Sequence, residues 1–228
     1  HSVTVSADAL GSLTMSGEGM SSAAGAVDGT VAGNIWDAFQ AAADEPEAAP
    51  GAAGGLNYTL PSLMDGVALA ASYSPKGTNH ESSTSWSVVY TGFDGLALTY
   101  AKGDDNNTAA SHATQTVMKA TYAIGPVTLG YMQSEYDDEV ASGDQETESY
   151  NIAYTVSDDL SISYGTEELT FGVASATNVA AEFERVKVTY TTGGMTLTAS
   201  QAQGDNVSYS TATTEDREVW ALGASFAF

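Results

Sequence analysis

The most constraining feature of this sequence is a strict alternation of apolar and polar residues in many short segments. Successive side chains of a β-strand point to opposite faces, so each segment predicts a strand with one apolar and one polar face. Eleven such segments follow residue 55 and two precede residue 17, which predicts 13 strands and an all-β fold. Examples of the apolar sets are Trp86, Val88 and Tyr90; Tyr150, Ile152, Tyr154 and Val156; and Trp220, Leu222, Ala224, Phe226 and Phe228.

The opposite faces of these segments consist mostly of Ser, Thr, Asn and Gly, and the apolar sets contain no charged residue. A soluble β-sandwich also alternates, but its polar face meets bulk water and usually carries many Lys and Glu residues. Only 15% of this chain is charged, against roughly 25% in soluble domains. The pattern therefore favours a sheet whose polar face lines an enclosed lumen and whose apolar face contacts lipid.

The connections between the segments alternate between tight turns and longer stretches. The tight turns fall at 64–66, 93–95, 125–126, 157–159 and 193–194, and the longer loops at 77–83, 104–114, 137–148, 173–183 and 204–216. Aromatic residues recur near the ends of the apolar sets, as expected of an interfacial girdle. Together these features predict a transmembrane antiparallel up-and-down β-barrel formed by one domain, residues 1–228.

One stretch, residues 20–53, loses the alternation and is rich in Ala and Gly. Irregular connections of this length are uncommon in compact domains and are usually functional. Ile35, Trp36 and Phe39 within it are spaced as on a helix, so a short helix is predicted there. We refer to residues 20–53 as the long loop.

The charge balance excludes several classes of partner and site. Asp and Glu number 29 and Lys and Arg only 6, giving a formal net charge of −23. A nucleic-acid partner is excluded because so few cations cannot neutralise a row of phosphates. The chain has no cysteine, so disulfides, thiolate zinc sites and cysteine nucleophiles are absent. The alternation places the acids in loops and in the 20–53 stretch, and none on the apolar face.

Three stretches resemble the Gram-negative general diffusion porins, most closely their alphaproteobacterial branch. Residues 10–18 (LGSLTMSGE) and the Gly/Ala/Asp-rich 21–28 resemble the strand that enters the family's constriction loop and the start of that loop. Residues 55–62 and 65–73 resemble the next two strands and their periplasmic turn. The C-terminal strand, with Trp220, Phe226 and Phe228, is similar to the signal read by the barrel-assembly machinery.

This resemblance implies a barrel of the 16-stranded porin type, since porins use about 16 to 18 strands. Residues 20–53 would be its inward-folded constriction loop, and about three strands would lie before His1. A complete barrel of 12 or 14 strands is the alternative. The implied location is the bacterial outer membrane. The implied partners are outer-membrane lipid, lipopolysaccharide, two further copies in a homotrimer, and small polar solutes and ions.

In the resemblance, acids of the constriction loop face basic residues across the pore, and the resulting field sorts ions. The loop acids that would do so here are Asp28, Asp37, Asp44, Glu45 and Glu47, unless they are merely solvated. The family often places an arginine where this chain has Asn57. The alternation turns Lys119, Arg185 and Lys187 to the polar face as pore-wall cations. With so few cations we expect a passive channel that favours cations.

Three acids in one loop, Asp137, Asp138 and Glu139, offer oxygen ligands suited to Ca²⁺. Their spacing matches no EF-hand, and solvated acids without a bound ion are the alternative. No other cofactor is predicted. No nucleophile elbow, zincin or P-loop pattern occurs, so we expect no enzyme activity, although a barrel hydrolase stays open. A substrate-selective outer-membrane channel and a non-channel β-rich surface adhesin are also compatible with the alternation.

Overall fold

The computed structural model describes residues 1–17, 19–39, 55–61, 63–77, 81–108, 111–139, 143–172, 175, 178–211 and 216–227. Within these residues, thirteen antiparallel strands form one sheet in chain order, so the predicted all-β, up-and-down fold and its strand count are confirmed. The strands are β1 Ser2–Ala7, β2 Gly11–Ser16, β3 Gly55–Thr59, β4 Val67–Ser74, β5 Ser83–Phe93, β6 Leu96–Thr108, β7 Ser111–Ile124, β8 Val127–Asp138, β9 Gln145–Ser157, β10 Leu160–Phe171, β11 Ala181–Thr192, β12 Met195–Asp205 and β13 Arg217–Phe226. Within the described residues, no helix has the length and apolar character needed to cross a membrane.

The tight turns lie where the sequence predicts them. Phe93 pairs with Leu96 and Thr192 pairs with Met195, which leaves two-residue connections between these strands. Gly95 and Gly194 adopt φ angles of 74° and 81°, in the left-handed region that glycine enters without steric cost. The hairpin of β1 and β2 closes through a hydrogen bond from Leu10 N to Ala7 O of 2.9 Å.

Burial in this sheet is the reverse of that in a soluble β-protein. The apolar face, which carries residues such as Tyr73, Trp86, Ile152, Val186 and Leu222, is exposed. The polar face carries the buried side chains of Ser72, Ser85, Gln115, Ser149 and Glu167 among others. Large exposed apolar surfaces mark contact with lipid or protein, whereas buried polar groups require hydrogen-bond partners.

Several strands extend further than the apolar sets indicate. β6 continues to Thr108, β8 to Asp138 and β12 to Asp205, and β9 begins at Gln145, so the predicted loops 104–114, 137–148 and 204–216 are shorter than expected. Backbone pairing continues beyond the apolar segments because strand hydrogen bonds do not depend on apolar side chains. The extended parts place Glu148, Glu184 and other acids on the apolar face, which corrects the expectation that this face carries none.

The chain divides into two compact units. Unit 1 comprises His1–Gly29, Pro46–Ala120 and Gln133–Glu146, and unit 2 comprises Thr30–Glu45, Thr121–Met132 and Thr147–Phe228. The predicted short helix is present in unit 2 as a 3-10 helix, Ile35–Phe39. Its Ile35 and Phe39 belong to a buried apolar cluster on the polar face of β10 to β13; the other members are Ala32, Leu169, Ala181, Phe183, Ala202 and Val207.

Candidate functional site

In unit 1, the first part of the long loop lies against the polar face of β4 and β5. The backbone N–H groups of Ala23 and Ala24 donate to Ser72 Oγ at 3.1 Å and Ser85 Oγ at 3.2 Å. The two serine hydroxyls are themselves 2.7 Å apart, and Ala23 and Ala24 are fully buried. Small hydroxyl side chains on adjacent strands therefore serve as a platform for the loop backbone.

The same part of the loop also contacts β3 and β7. Asn57 Nδ2 donates to Ser21 O at 3.5 Å, and Gln115 Nε2 donates to Asp28 Oδ2 at 3.4 Å. Lys119 Nζ donates to the carbonyl of Gly29, and the Asp28 carboxylate interacts favourably with the same ammonium group. Of the residues predicted for the pore, Asn57 and Lys119 therefore contact the loop, and Asp28 is the loop acid that interacts with Lys119.

In unit 2, the next part of the loop is bound by a buried glutamate of β10. Glu167 Oε1 accepts a hydrogen bond from Thr30 Oγ1, and Glu167 Oε2 accepts one from Trp36 N at 3.1 Å. The Thr30 hydroxyl also accepts from Asn34 N at 2.8 Å, which closes the turn between the two contact points. Hydrogen bonds to a charged group are stronger than those between neutral groups, so Glu167 is a strong attachment point.

Arg185 of β11 binds the backbone of this turn. Its Nη2 donates to the carbonyl oxygens of Ala32, at 2.5 Å, and Gly33, at 3.3 Å. Among the described residues, Lys187, two positions further on the same strand, has no hydrogen-bond or ion-pair partner, and it is half-buried. The two predicted wall cations of β11 therefore differ: Arg185 binds the loop backbone, and Lys187 makes no hydrogen bond or ion pair with the described part of the loop.

Two glycines and a serine provide the surface on which residues 31 and 32 lie. A Cβ on Gly130 of β8 would stand 3.0 Å from Val31 Cβ, and one on Gly165 of β10 would stand 2.8 Å from Ala32 Cβ. Between these strands, Ser149 Oγ of β9 accepts a hydrogen bond from Val31 N at 3.2 Å. Larger side chains at the two glycines would displace the loop, since close-packed interiors do not absorb additional methyl groups freely.

The 3-10 helix is attached by apolar packing instead. The Phe39 and Phe183 ring centroids lie 5.2 Å apart, and Ile35, the first residue of the helix, is completely buried. Arg217 Nη1 of β13 donates to Phe39 O at 3.5 Å. Asp37, on the same helix, is exposed.

Several predicted site residues lie elsewhere or outside the described chain. Asp44, Glu45, Glu47 and Phe228 belong to residues that the structure does not describe. Trp220 and Phe226 of β13 are exposed on the apolar face, as the alternation predicts. Asp137 and Glu139 are exposed and Asp138 is half-buried, with Asp138 N donating to Asp144 Oδ1 at 3.0 Å. Within the described ranges, no three His, Asp or Glu side chains are grouped as a metal site requires, and calcium stays a prediction.

Glu167 and Gln115 are site residues that the sequence reasoning missed. Both lie on the polar face, where the alternation of their strands continues beyond the apolar sets. Continuing the alternation of Ser161 and Ser163 through Gly165 leads directly to Glu167. The signal is therefore present in the sequence, but the apolar set of β10 alone does not indicate how far the strand extends.

On the opposite, apolar face, aromatic side chains donate to carboxylates near the ends of the strands that carry the longer loops. Tyr131 and Tyr150 both donate to Glu148 Oε1, at 3.0 and 2.8 Å, and Tyr164 donates to Glu184 Oε2 at 2.8 Å. Trp220 Nε1 donates to Glu218 Oε1 at 2.7 Å. Amphipathic aromatic rings with a polar partner on one side are typical of a boundary between hydrocarbon and water.

No protein-family model matches the chain, and no curated protein matches it. Its fold is similar to that of Salmonella typhi OmpF, solved in complex with daunomycin: the TM-score is 0.67 at 13% identity, over 98% of this chain and 76% of OmpF. An anion-selective porin from Comamonas acidovorans has a TM-score of 0.63 at 14% identity, over 90% of this chain and 66% of that one. The trimer form of Vibrio cholerae OmpT has a TM-score of 0.57 at 17% identity, over 96% of this chain and 73% of that one. At these identities the likeness concerns the fold alone: the antiparallel sheet of this chain is similar to the sheets of these outer-membrane proteins.

Proposed function

We propose that this chain forms a passive outer-membrane channel for small hydrophilic solutes and ions, and that the channel favours cations. The observation that carries the proposal is the reversed burial of the sheet together with the position of residues 20–39, the described part of the long loop. An exposed apolar face is suited to lipid, and a polar face partly covered by a loop is suited to a narrowed aqueous path. The proposal assigns no catalytic reaction to the chain, because passage down a gradient requires none.

Cation preference is supported by charge. The chain has a formal net charge of −23, and its pore-wall cations are few. Arg185 and Lys119 donate to loop carbonyl oxygens, which supports their assignment to the pore wall in this proposal. In this proposal Asp28 and Asp37, together with Asp44, Glu45 and Glu47 outside the described residues, supply the negative potential at the constriction.

The wider assembly is also part of the proposal. Bacterial single-chain barrels have an even number of strands, whereas 13 are described here, so the proposed wall contains further strands beyond these 228 residues and follows the 16-stranded type. The trimer form of Vibrio cholerae OmpT supports a homotrimer. Trp220, Phe226 and Phe228 are proposed to contact the barrel-assembly machinery, and the exposed apolar face to contact lipid and lipopolysaccharide.

The test is reconstitution of the detergent-purified protein in planar bilayers across a KCl gradient. We expect stepwise conductance and a reversal potential whose sign is that of the K⁺ equilibrium potential. Anion preference would overturn the selectivity, and a heat-modifiable, bilayer-inserted protein without conductance would overturn the channel. Saturable block by one solute class would favour a substrate-selective channel instead. Full solubility without detergent would favour a surface adhesin.

A further inference from the structure

We propose that Glu167 and Arg185 are positioning residues that lock the long loop against the wall, and that this lock sets the conductance of the channel. The inference rests on the proposed channel function. It changes the role of Arg185 from a free wall cation that acts on passing ions to a group that acts through the loop.

The first observation is that the two charged groups bind opposite kinds of loop atom. Glu167 accepts from donors at both ends of a short loop segment, Thr30 Oγ1 and Trp36 N, and Arg185 donates to the carbonyl oxygens of Ala32 and Gly33 between them. Glu167 is 2% exposed. A buried carboxylate that lost these donors would be left with an uncompensated charge, so loop release is unfavourable.

The second observation is that the segment is positioned by packing on both sides of these bonds. Residues 31 and 32 lie over Gly130 and Gly165, and Ile35 and Phe39 lie in the apolar cluster of β10 to β13. A loop that merely crossed the lumen would need neither glycines in the wall nor an apolar cluster on a polar face. The arrangement is that of a fixed constriction rather than a mobile gate.

The neighbouring cation on the same strand provides a matched comparison. Arg185 and Lys187 lie on the same face of β11 two residues apart, and Arg185 is hydrogen-bonded to the loop, whereas Lys187 has no hydrogen bond or ion pair to loop residues 20–39. Arg185→Ala and Lys187→Ala remove the same charge from nearly the same place. A free wall cation would give the two variants the same effect, whereas a positioning residue would not.

The experiment uses the absence of cysteine from the chain. Ile35→Cys introduces a single thiol at a fully buried loop position, and its rate of modification by a membrane-impermeant maleimide reports loop release. Arg185→Ala and Glu167→Gln are expected to raise this rate about 10- to 100-fold, the factor by which loss of a hydrogen bond to a charged group shifts an equilibrium. Lys187→Ala and Glu168→Gln, the latter on the opposite face, are expected to leave the rate within about twofold.

Single-channel conductance is then measured for the same variants without Ile35→Cys. We expect a higher and noisier conductance for Arg185→Ala and Glu167→Gln than for their matched controls. Thr30→Val, which removes a donor from the loop itself, is expected to act in the same direction. Gel mobility before and after boiling identifies variants that still fold.

Equal modification rates in Arg185→Ala and Lys187→Ala would overturn the inference, as would equal conductances. The thiol measurement does not require conduction. If the folded protein conducts no ions but Arg185→Ala releases the loop, the channel proposal fails while the lock stands; if it conducts and the loop is unaffected, the lock alone fails.

Discussion

Ala32 of the long loop lies directly over Gly165 of β10, so closely that a Cβ at position 165 would stand 2.8 Å from the Ala32 methyl carbon. Gly165 is buried within the strand, and its paired neighbour in β11 is Arg185. A glycine inside a strand often marks close approach of another backbone, and here that backbone is the loop. The wall and the loop are therefore complementary in shape as well as in charge.

Gly165→Val is expected to displace the loop and to destabilise the protein by about 1–3 kcal/mol, the usual cost of overpacking a filled site. The β-branched side chain itself suits a strand, so the effect comes from the clash with Ala32 and not from strand propensity. Urea unfolding in detergent measures it. Ser163→Val, on the same face two residues away, is the control, and an equal loss of stability in both variants would contradict the prediction.

A second, independent prediction concerns the hydroxyl groups of Ser72 and Ser85, which accept hydrogen bonds from the loop backbone. Ser72→Ala or Ser85→Ala leaves a buried loop N–H without its acceptor, which costs about 1–3 kcal/mol. Because the two hydroxyls are 2.7 Å apart, the double variant is expected to lose less than the sum of the single variants. Ser87→Ala, equally buried on β5, is the control for simple loss of a hydroxyl. Additive losses measured by thermal unfolding would argue against a shared platform.

The sheet could be predicted well from the sequence because the alternation is local: within each strand, it assigns every residue to the apolar or the polar face. Trp86, Ile152 and Val186 lie on the exposed apolar face as their spacing requires. The hairpin before the long loop and the 3-10 helix at Ile35–Phe39 are likewise readable from short segments. These features depend on residues close together in the chain.

The site was less predictable because its contacts join distant positions. Nothing near Arg185 in the sequence indicates that its guanidinium meets the carbonyl of Ala32, which is 153 positions away. Glu167 was missed because the apolar residues of β10 do not mark the end of the strand. Glu148 and Glu184 were missed for the same reason, because the apolar sets of β9 and β11 do not show how far these strands extend. Both lie on the apolar face and accept hydrogen bonds from tyrosine hydroxyls.

Lys187 allows the proposed cation preference to be tested without disturbing the loop. Lys187→Glu replaces a positive charge of the polar face by a negative one, and no described residue loses a partner. We expect the reversal potential in a KCl gradient to move further toward that of K⁺, while the single-channel conductance stays within about twofold. Lys102→Glu, an equal charge change at an exposed position opposite Trp86, is the control. A reversal potential that responds equally to both would mean that Lys187 does not face the ion path.

In the proposed channel, the carboxylates that accept aromatic donors mark one boundary of the lipid-facing part of the apolar face. Glu182, Glu184 and Val186 follow one another on the apolar face of β11, and Glu184 lies between the other two. An arginine at the centre of the lipid face of a barrel costs about 2–4 kcal/mol, and one near the interface about 0–1 kcal/mol. Val186 lies inside the boundary marked by Glu184 and Glu182 lies outside it, so Val186→Arg is expected to lower the free energy of unfolding in lipid vesicles more than Glu182→Arg. Both substitutions introduce the same side chain on one face of one strand, so strand propensity and arginine entropy cancel in the comparison. If the two variants were equally stable in vesicles, the face that carries Val186 would not contact hydrocarbon, and the boundary inferred from Tyr164 and Glu184 would be misplaced.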